Sequence, residues 1–338
     1  MIKILKKQMK SDTQSVVADK QEVAYQNNNI LVFQDGSELT LSNDAFITSE
    51  FGDGGSLYAF LDSSIYRVNK GGIELVCNEK APSFNVVSKY QIISSCGELH
   101  SDNYTYYQHM EEKWSFPRAR GILASSSKTL FTTSAFKVAK IDFRNIETFK
   151  IMENIFPKEG FEFLLTSNYR FSDRVIFIQS QKKRDTSKMQ QVIATCCDLD
   201  SGKILWETHF QGSHRYILND ADGNLYALFG RHEPGGETLY LNYLNPTTGQ
   251  AKLEVVEKNT IVASTPWLAQ IYKNVMYISD IYTEGCVIWA FDLTTKKILT
   301  HFNLGLDKGT SLKAPVIRND ELYVLDSTET LHVFDIVY

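Results

Sequence analysis

The stretches VIATCCDLDSGKILWETHF (192–210), ETLYLNYLNPTTGQAKLEVV (237–256) and GCVIWAFDLTTKKILTHFNL (285–304) share one pattern. Each runs an apolar strand into Asp or Asn, then a four-residue turn, then a second short strand. Aligned, they put Asp198, Asn245 and Asp292 in register, 47 residues apart at each step. That span is what a propeller blade built as a single four-stranded sheet requires.

The clearest unit runs from Ser264 to Leu304 and divides into TPWLAQI, VMYISDI, CVIWAFDL and ILTHFNL, strands a to d. Period-2 alternation and β-branched or aromatic content support all four. The last unit reads KAPVIRND, ELYVLDSTE and TLHVFDIVY, with no strand d before Tyr338. An unpaired sheet edge there exposes a row of backbone donors and acceptors, so the missing strand is expected from the N-terminal segment, with ILVFQ (30–34) as the donor. The strand-c anchor recurs at Asp335, Asp292, Asn245, Asp198, Asp142, Gln108 and Asn69. The pattern therefore predicts an all-β, seven-bladed β-propeller of four-stranded antiparallel blades closed by an N-terminal strand. Eight blades is the alternative if residues 20–45 form one of their own. Residues 1–20 read as a polar tail, and 21–338 as one propeller domain.

Lys plus Arg number 35 and Asp plus Glu 40, a formal net charge of -5. No basic field is available to displace counterions from phosphates, so a nucleic-acid partner is not expected. Aromatic residues, 12% of the chain, suit strands whose side chains must fill wide gaps between sheets. The opening MIKILKKQMKSDTQ lacks the run of about seven apolar residues of a secretory leader. No later segment approaches the ~20 apolar residues of a membrane helix, so a cytoplasmic protein without membrane association is expected. Cys77, Cys96, Cys196, Cys197 and Cys286 show no CxxC spacing and read as reduced thiols in strands.

At DLDSGKILWE (198–207) the repeat resembles that of the pyrroloquinoline-quinone-like propellers, whose units end in an aliphatic-Ala-Leu/Phe-Asp stretch, a TG turn and Lys-x-x-Trp. Ala290, Phe291 and Asp292 match one copy, Leu244, Asn245 and TTG match another, and Trp206 supplies the strand-d tryptophan. The likeness covers 135–338 well and 55–134 loosely. It implies either a quinone-dependent dehydrogenase or a non-enzymatic scaffold such as the outer-membrane assembly lipoproteins. The dehydrogenases' carboxylate base and calcium ligands have no match here, and the adjacent Cys196 and Cys197 fall in a strand whose successive side chains point to opposite faces. The non-enzymatic branch is the expectation, with no cofactor.

Strands c and d are joined by short turns, whereas the b-to-c and d-to-a connections, which share the other edge, are longer and more charged. QSQKKRDTSKMQ (179–190) and GRHEPGG (230–236) read as b-to-c loops; FPKEG (156–160), QGSHR (211–215), VEKNT (256–260) and GLDKG (305–309) read as d-to-a loops. Loops on a rigid scaffold carry function. The predicted partner-binding residues are therefore Lys182, Lys183, Arg184, His214, Arg215, Arg231, His232, Glu233, Asp280, Tyr282, Glu284 and Asp307. No HxH or HxxxH spacing marks a metal site and no GxSxG elbow marks a serine nucleophile, so neither catalytic nor metal residues are predicted. The expectation is a non-enzymatic propeller, monomeric until it binds another protein, in one version an immunity-type inhibitor that caps a toxin or effector domain. The alternative is an enzyme or carbohydrate-binding propeller with its site at the channel mouth.

Overall fold

The computed structural model describes residues 3–10, 13–18, 23–41, 46–49, 57–61, 64–69, 71–78, 83–88, 91–96, 103–108, 111–117, 122–133, 140–182, 189–212, 217–218, 223–233, 236–258, 268–280, 286–307 and 309–338. Its strands begin with β1 (Lys3–Lys10). Blade 1 is β2 (Thr13–Ala18), β3 (Val23–Asn27), β4 (Ile30–Phe33) and β5 (Glu38–Thr40). Blade 2 is β6 (Phe46–Ser49), β7 (Leu57–Leu61), β8 (Ser64–Asn69) and β9 (Gly72–Asn78). Blade 3 is β10 (Ser83–Ser88), β11 (Gln91–Cys96), β12 (Asn103–Gln108) and β13 (Glu111–Pro117). Blade 4 is β14 (Ile122–Ser125), β15 (Thr129–Thr133), β16 (Ile141–Asn145) and β17 (Ile151–Ile155). Blade 5 is β18 (Phe161–Phe171), β19 (Arg174–Gln181), β20 (Gln191–Asp198) and β21 (Ile204–Gln211). Blade 6 is β22 (Ile217–Leu218), β23 (Leu225–Glu233), β24 (Gly236–Leu244) and β25 (Ala251–Lys258). Blade 7 is β26 (Ala269–Tyr272), β27 (Val275–Asp280), β28 (Val287–Asp292) and β29 (Lys297–Asn303). Blade 8, the last sheet, holds β30 (Val316–Arg318), β31 (Glu321–Leu325) and β32 (Leu331–Val337), with β1 paired antiparallel to β32.

The fold is the expected all-β propeller of four-stranded antiparallel meanders. Among the described residues the sheets number eight, the count foreseen if residues 20–45 form a blade of their own. An N-terminal strand does complete the C-terminal sheet, but it is Lys3–Lys10 and not the segment 30–34, of which Ile30–Phe33 form strand c of blade 1. Residues 3–10 and 13–18 are thus strands rather than a polar tail. The physical reason is position: strand d is the outer strand, solvated along one edge, so a lysine-rich segment suits it and also protects that edge.

The same logic explains the hydrophobic pattern. Strands b and c are covered on both faces; β19 and β20 are each buried over six consecutive residues. Their sequences therefore read as continuous apolar runs rather than strict alternations. The outer β17 is mostly exposed, and β21 and β25 have no fully buried residue. In every blade but the first, the c-to-d ladder slips by one residue, leaving an extra residue on strand d, such as Met152, Leu205 or Leu299. Such a bulge bends the outer strand and increases its twist.

The chain divides into two compact units. One comprises residues 12–157 with 199–203 and carries blades 1 to 4. Its described core includes a cluster between blades 1 and 2, with Ala24, Leu31 and Phe33 against Leu57, Ala59 and Val68. The other comprises residues 1–11, 158–198 and 204–338 and carries blades 5 to 8. Its core is a series of layers between consecutive sheets. Ile176, Ile178, Val192 and Cys196 meet Leu225 and Leu244; Leu228, Leu239 and Leu241 meet Met276, Ile278 and Phe291; Tyr277 and Ile288 meet Leu322, Val324 and Phe334.

The c-to-d anchor works as the sequence pattern requires. Asn245 Oδ1 accepts the backbone N–H of Thr247 and of Thr248, both at 2.9 Å, and Asp292 Oδ1 accepts Thr294 N at 2.8 Å and Thr295 N at 3.2 Å. In blade 4, however, the anchor is Asn145, which accepts Glu147 N at 3.0 Å and Thr148 N at 2.9 Å. Asp142, the expected anchor, is buried inside β16 and ion-paired to Arg144 at 2.6 Å and Lys140 at 2.9 Å.

Candidate partner-binding surface

In a meander the a-to-b and c-to-d turns share one edge of the blade, and the b-to-c and d-to-a connections share the other. In the unit of blades 5 to 8 the two edges differ in construction. On the turn edge, one blade grips the next. Trp206, on β21 of blade 5, donates its indole N–H to the carbonyl of Pro246 in the blade 6 turn at 3.1 Å, and Thr208 Oγ1 donates to the Gly249 carbonyl at 2.7 Å. Arg174 Nη1 reaches the Thr247 carbonyl at 3.0 Å, and Lys296 of blade 7 pairs with Glu254 of blade 6. Trp206 thus packs between blades as its place in the repeat implies. The hydrogen bonds from Lys252 and Lys296 hold the Glu254 carboxyl below its ordinary range.

The loop edge of blade 5 is assembled from side chains upward. Gln179 lies near the end of β19, and its amide donates to Thr195 Oγ1 on β20 at 2.9 Å while its oxygen accepts the backbone N–H of Lys158 at 2.8 Å. One buried side chain therefore ties strands b and c to the d-to-a connection. Two backbone bonds complete the frame: Lys182 N–H to the Gly160 carbonyl and Gly212 N–H to the Gln190 carbonyl, each 3.0 Å. Upon this frame sit exposed Lys158, Glu159, Lys182 and His209. Lys158 Nζ is 3.0 Å from Glu207 Oε1, His209 Nε2 is 3.7 Å from the same oxygen, and the His209 ring meets Phe161 edge-on with centroids 6.4 Å apart.

Related b-to-c diagonals recur. Trp289 Nε1 donates to Asp280 Oδ2 at 3.1 Å in blade 7, and His332 Nε2 lies 2.7 Å from Asp326 Oδ2 in blade 8. In the other unit Arg144 Nε donates to Thr132 Oγ1 at 3.1 Å. In three of the four a polar residue of strand b meets one of strand c two positions off the direct partner, and in blade 8 Asp326, one residue past β31, meets His332 of strand c in the same way. These residues were not singled out from the sequence. Their signal is a polar side chain late in an otherwise apolar strand b. Around Asp326, burial pushes the carboxyl up, but His332, the Thr328 hydroxyl and the N–H groups of Thr330 and Thr328 together draw it below the ordinary value.

Of the predicted partner-binding residues, Lys182 and Asp307 are exposed on connections, as expected. Three were misplaced as loop residues: Arg231, His232 and Glu233 belong to β23, which pairs with β24 up to Glu233↔Gly236. The register extends because Thr238 and Glu237 continue the ladder opposite Arg231 and His232. Asp280 is half-buried and accepts the Trp289 indole N–H. Lys183, Arg184, His214, Arg215, Tyr282 and Glu284 lie outside the described residues.

Cys196 and Cys197 are buried free thiols, and burial pushes the Cys196 thiol up to about 12. Among the described residues no three His, Cys, Asp or Glu side chains converge as a metal site would require.

No family model matches the chain, and no curated protein matches it. Solved propellers do. BamB from Moraxella catarrhalis shares 11% identity over 98% of this chain and 100% of its own, with a TM-score of 0.56. Sqt1 from Chaetomium thermophilum shares 10% over 99% and 100%, with a TM-score of 0.55, and the Dos1 propeller 11% over 98% and 95%, with 0.53. At these identities the likeness is one of fold.

Proposed function

We propose that this propeller is a protein-binding module and that the loop edge of blade 5 is part of its contact surface. The observation that carries the reading is the frame around Gln179, Lys182–Gly160 and Gly212–Gln190. It fixes residues 158–160 and the chain at Lys182, Gln190 and Gly212 against the sheet before any partner arrives, so little conformational freedom is lost there on docking. Lys158, Glu159 and Lys182 then offer charges of both signs beside the His209 ring, which suits partner selection and steering more than catalysis. The resemblance of the repeat to the non-enzymatic quinone-type propellers supports the same reading. Free buried cysteines suit a reducing compartment, and we place the protein in the cytoplasm on that ground. A narrower version, an immunity-type cap on a basic toxin domain, rests on the net charge of -5.

The test is affinity purification of the native chain beside a Glu159→Lys/Lys182→Glu variant. The reading predicts one partner at fixed stoichiometry that is lost or at least tenfold depleted with the variant. A partner retained equally by both, or turnover of a small substrate by the purified monomer, overturns it.

A further inference from the structure

On the turn edge between blades 7 and 8, Lys273 occupies an unusual setting. Its turn, Lys273–Asn274, has both residues in the left-handed region (φ 48 and 61), as does the neighbouring Asn319–Asp320 turn (φ 51 and 63). Asn and Asp tolerate that region; a lysine there is uncommon, and a strained residue points to a use for its side chain. The ammonium of Lys273 lies 4.8 Å from the centroid of Tyr338 and 5.3 Å from that of Tyr272, both inside the ~6 Å range of cation–π attraction. Asp320 receives it at 2.6 and 2.9 Å. The surroundings are set from behind. The Tyr272 hydroxyl accepts Asp320 N–H at 3.3 Å, the Asp320 carbonyl accepts Ile336 N–H at 2.7 Å, and Tyr277 is wholly buried beneath. Two aromatic faces and one carboxylate around a cation make an ammonium cage, and its occupant is half exposed on a flexible stem.

We infer that Tyr272, Tyr338 and Asp320 form a receptor site for a methylated ammonium, of the mono- or dimethyl-lysine class, for which Lys273 is a built-in competitor. A methylated lysine keeps an N–H for Asp320 and turns its methyl groups toward the rings. It is also more weakly hydrated than the resident primary ammonium, so it gains more from the aromatic faces. This site lies on the opposite edge of the blades from the proposed partner surface and does not depend on it.

The experiment is titration of Nα-acetyl-Nε,Nε-dimethyl-lysine amide into the full chain, followed by NMR of the tyrosine rings. Lys273→Asn, which suits the left-handed turn, is expected to bind it at least fivefold more tightly than the unsubstituted chain. Adding Tyr338→Ala or Asp320→Asn should remove that gain, and acetyl-lysine should not bind. Lys273→Gly is the second variant, should the first shift the unfolding midpoint. Equal binding by the chain with and without Lys273, or collapse of both variants, would show that Lys273 is only a structural latch and overturn the inference.

Discussion

Replacing Gly249 by alanine separates the two roles that its position combines. Gly249 has φ +74, so any side chain incurs the left-handed penalty of about 1–2 kcal/mol. The added Cβ would also lie 2.7 Å from Trp206 Cδ2 and Cε3 and 2.8 Å from Thr208 Oγ1. Neither neighbour can retreat freely, because the indole is held on the Pro246 carbonyl and the hydroxyl on the Gly249 carbonyl. Forced overpacking of this kind typically adds about 1–3 kcal/mol. Gly249→Ala should therefore cost about 2–5 kcal/mol in total, from the two ranges together. Gly305 provides the control: its φ is +68, but no atom lies within 4 Å of a Cβ there, so Gly305→Ala should cost the backbone part alone. The assay is urea unfolding of both variants, alone and on a Trp206→Leu background, where the overlap with the indole is removed and only that with Thr208 Oγ1 remains. A coupling of ~1 kcal/mol or more between positions 206 and 249 is the expected signature. Equal costs for the two glycines, with additive behaviour on Trp206→Leu, would refute the blade-to-blade grip.

Three further outcomes follow from the same structure. Removing residues 1–11 takes β1 from the last sheet and leaves β32 with an open edge. At about 1 kcal/mol per lost ladder hydrogen bond, the unfolding midpoint should drop and aggregation rise; an unchanged midpoint would restore the polar-tail reading. Asp326 has a folded pKa below its unfolded value near 3.8, so its contribution is present above that pH and is lost as pH falls through the lower folded value. Asp326→Asn should thus lower stability at neutral pH and flatten the acid limb of stability below about pH 4, measured by denaturant midpoints across pH. Cys196, buried with its thiol raised to about 12, should resist iodoacetamide at pH 8 in the native chain and react on unfolding, as read by mass spectrometry of the labelled peptide.

The elements legible in the sequence are those where one physical demand produces one visible pattern. Asp198, Asn245 and Asp292 mark the ends of strand c, and two of the three turns carry glycine, Gly202 and Gly249, at the left-handed position. Blade 4 concealed its register because Phe149 takes that position, with φ 56. The Arg144 guanidinium sits 4.4 Å above the Phe149 ring and donates to its carbonyl at 2.9 Å, so tertiary contacts hold a conformation that the sequence does not advertise. The alternation near Asp142 then drew the anchor three residues early. The N-terminal strand was hidden for the opposite reason. An outer strand needs backbone partners on one side only, and KILKKQMK carries too little apolar signal to distinguish it from a tail. Around the candidate surface, charge and loop length pointed to Lys182, whereas Gln179, Lys158 and Glu207 emerge only from contacts between segments distant in sequence. Glycine, proline and charge in 230–236 read as a loop, because composition alone could not reveal that pairing continues through Arg231 to Glu233 opposite Gly236.

The most direct test of the partner-surface proposal is a hydrogen-exchange footprint of the chain alone and in complex with the recovered partner. Protection concentrated on peptides covering residues 158–161, 179–182 and 209–212 is the predicted result. Protection confined to the turn edge, at 145–150, 245–250 and 292–297, with the blade 5 loop edge unchanged, would contradict it.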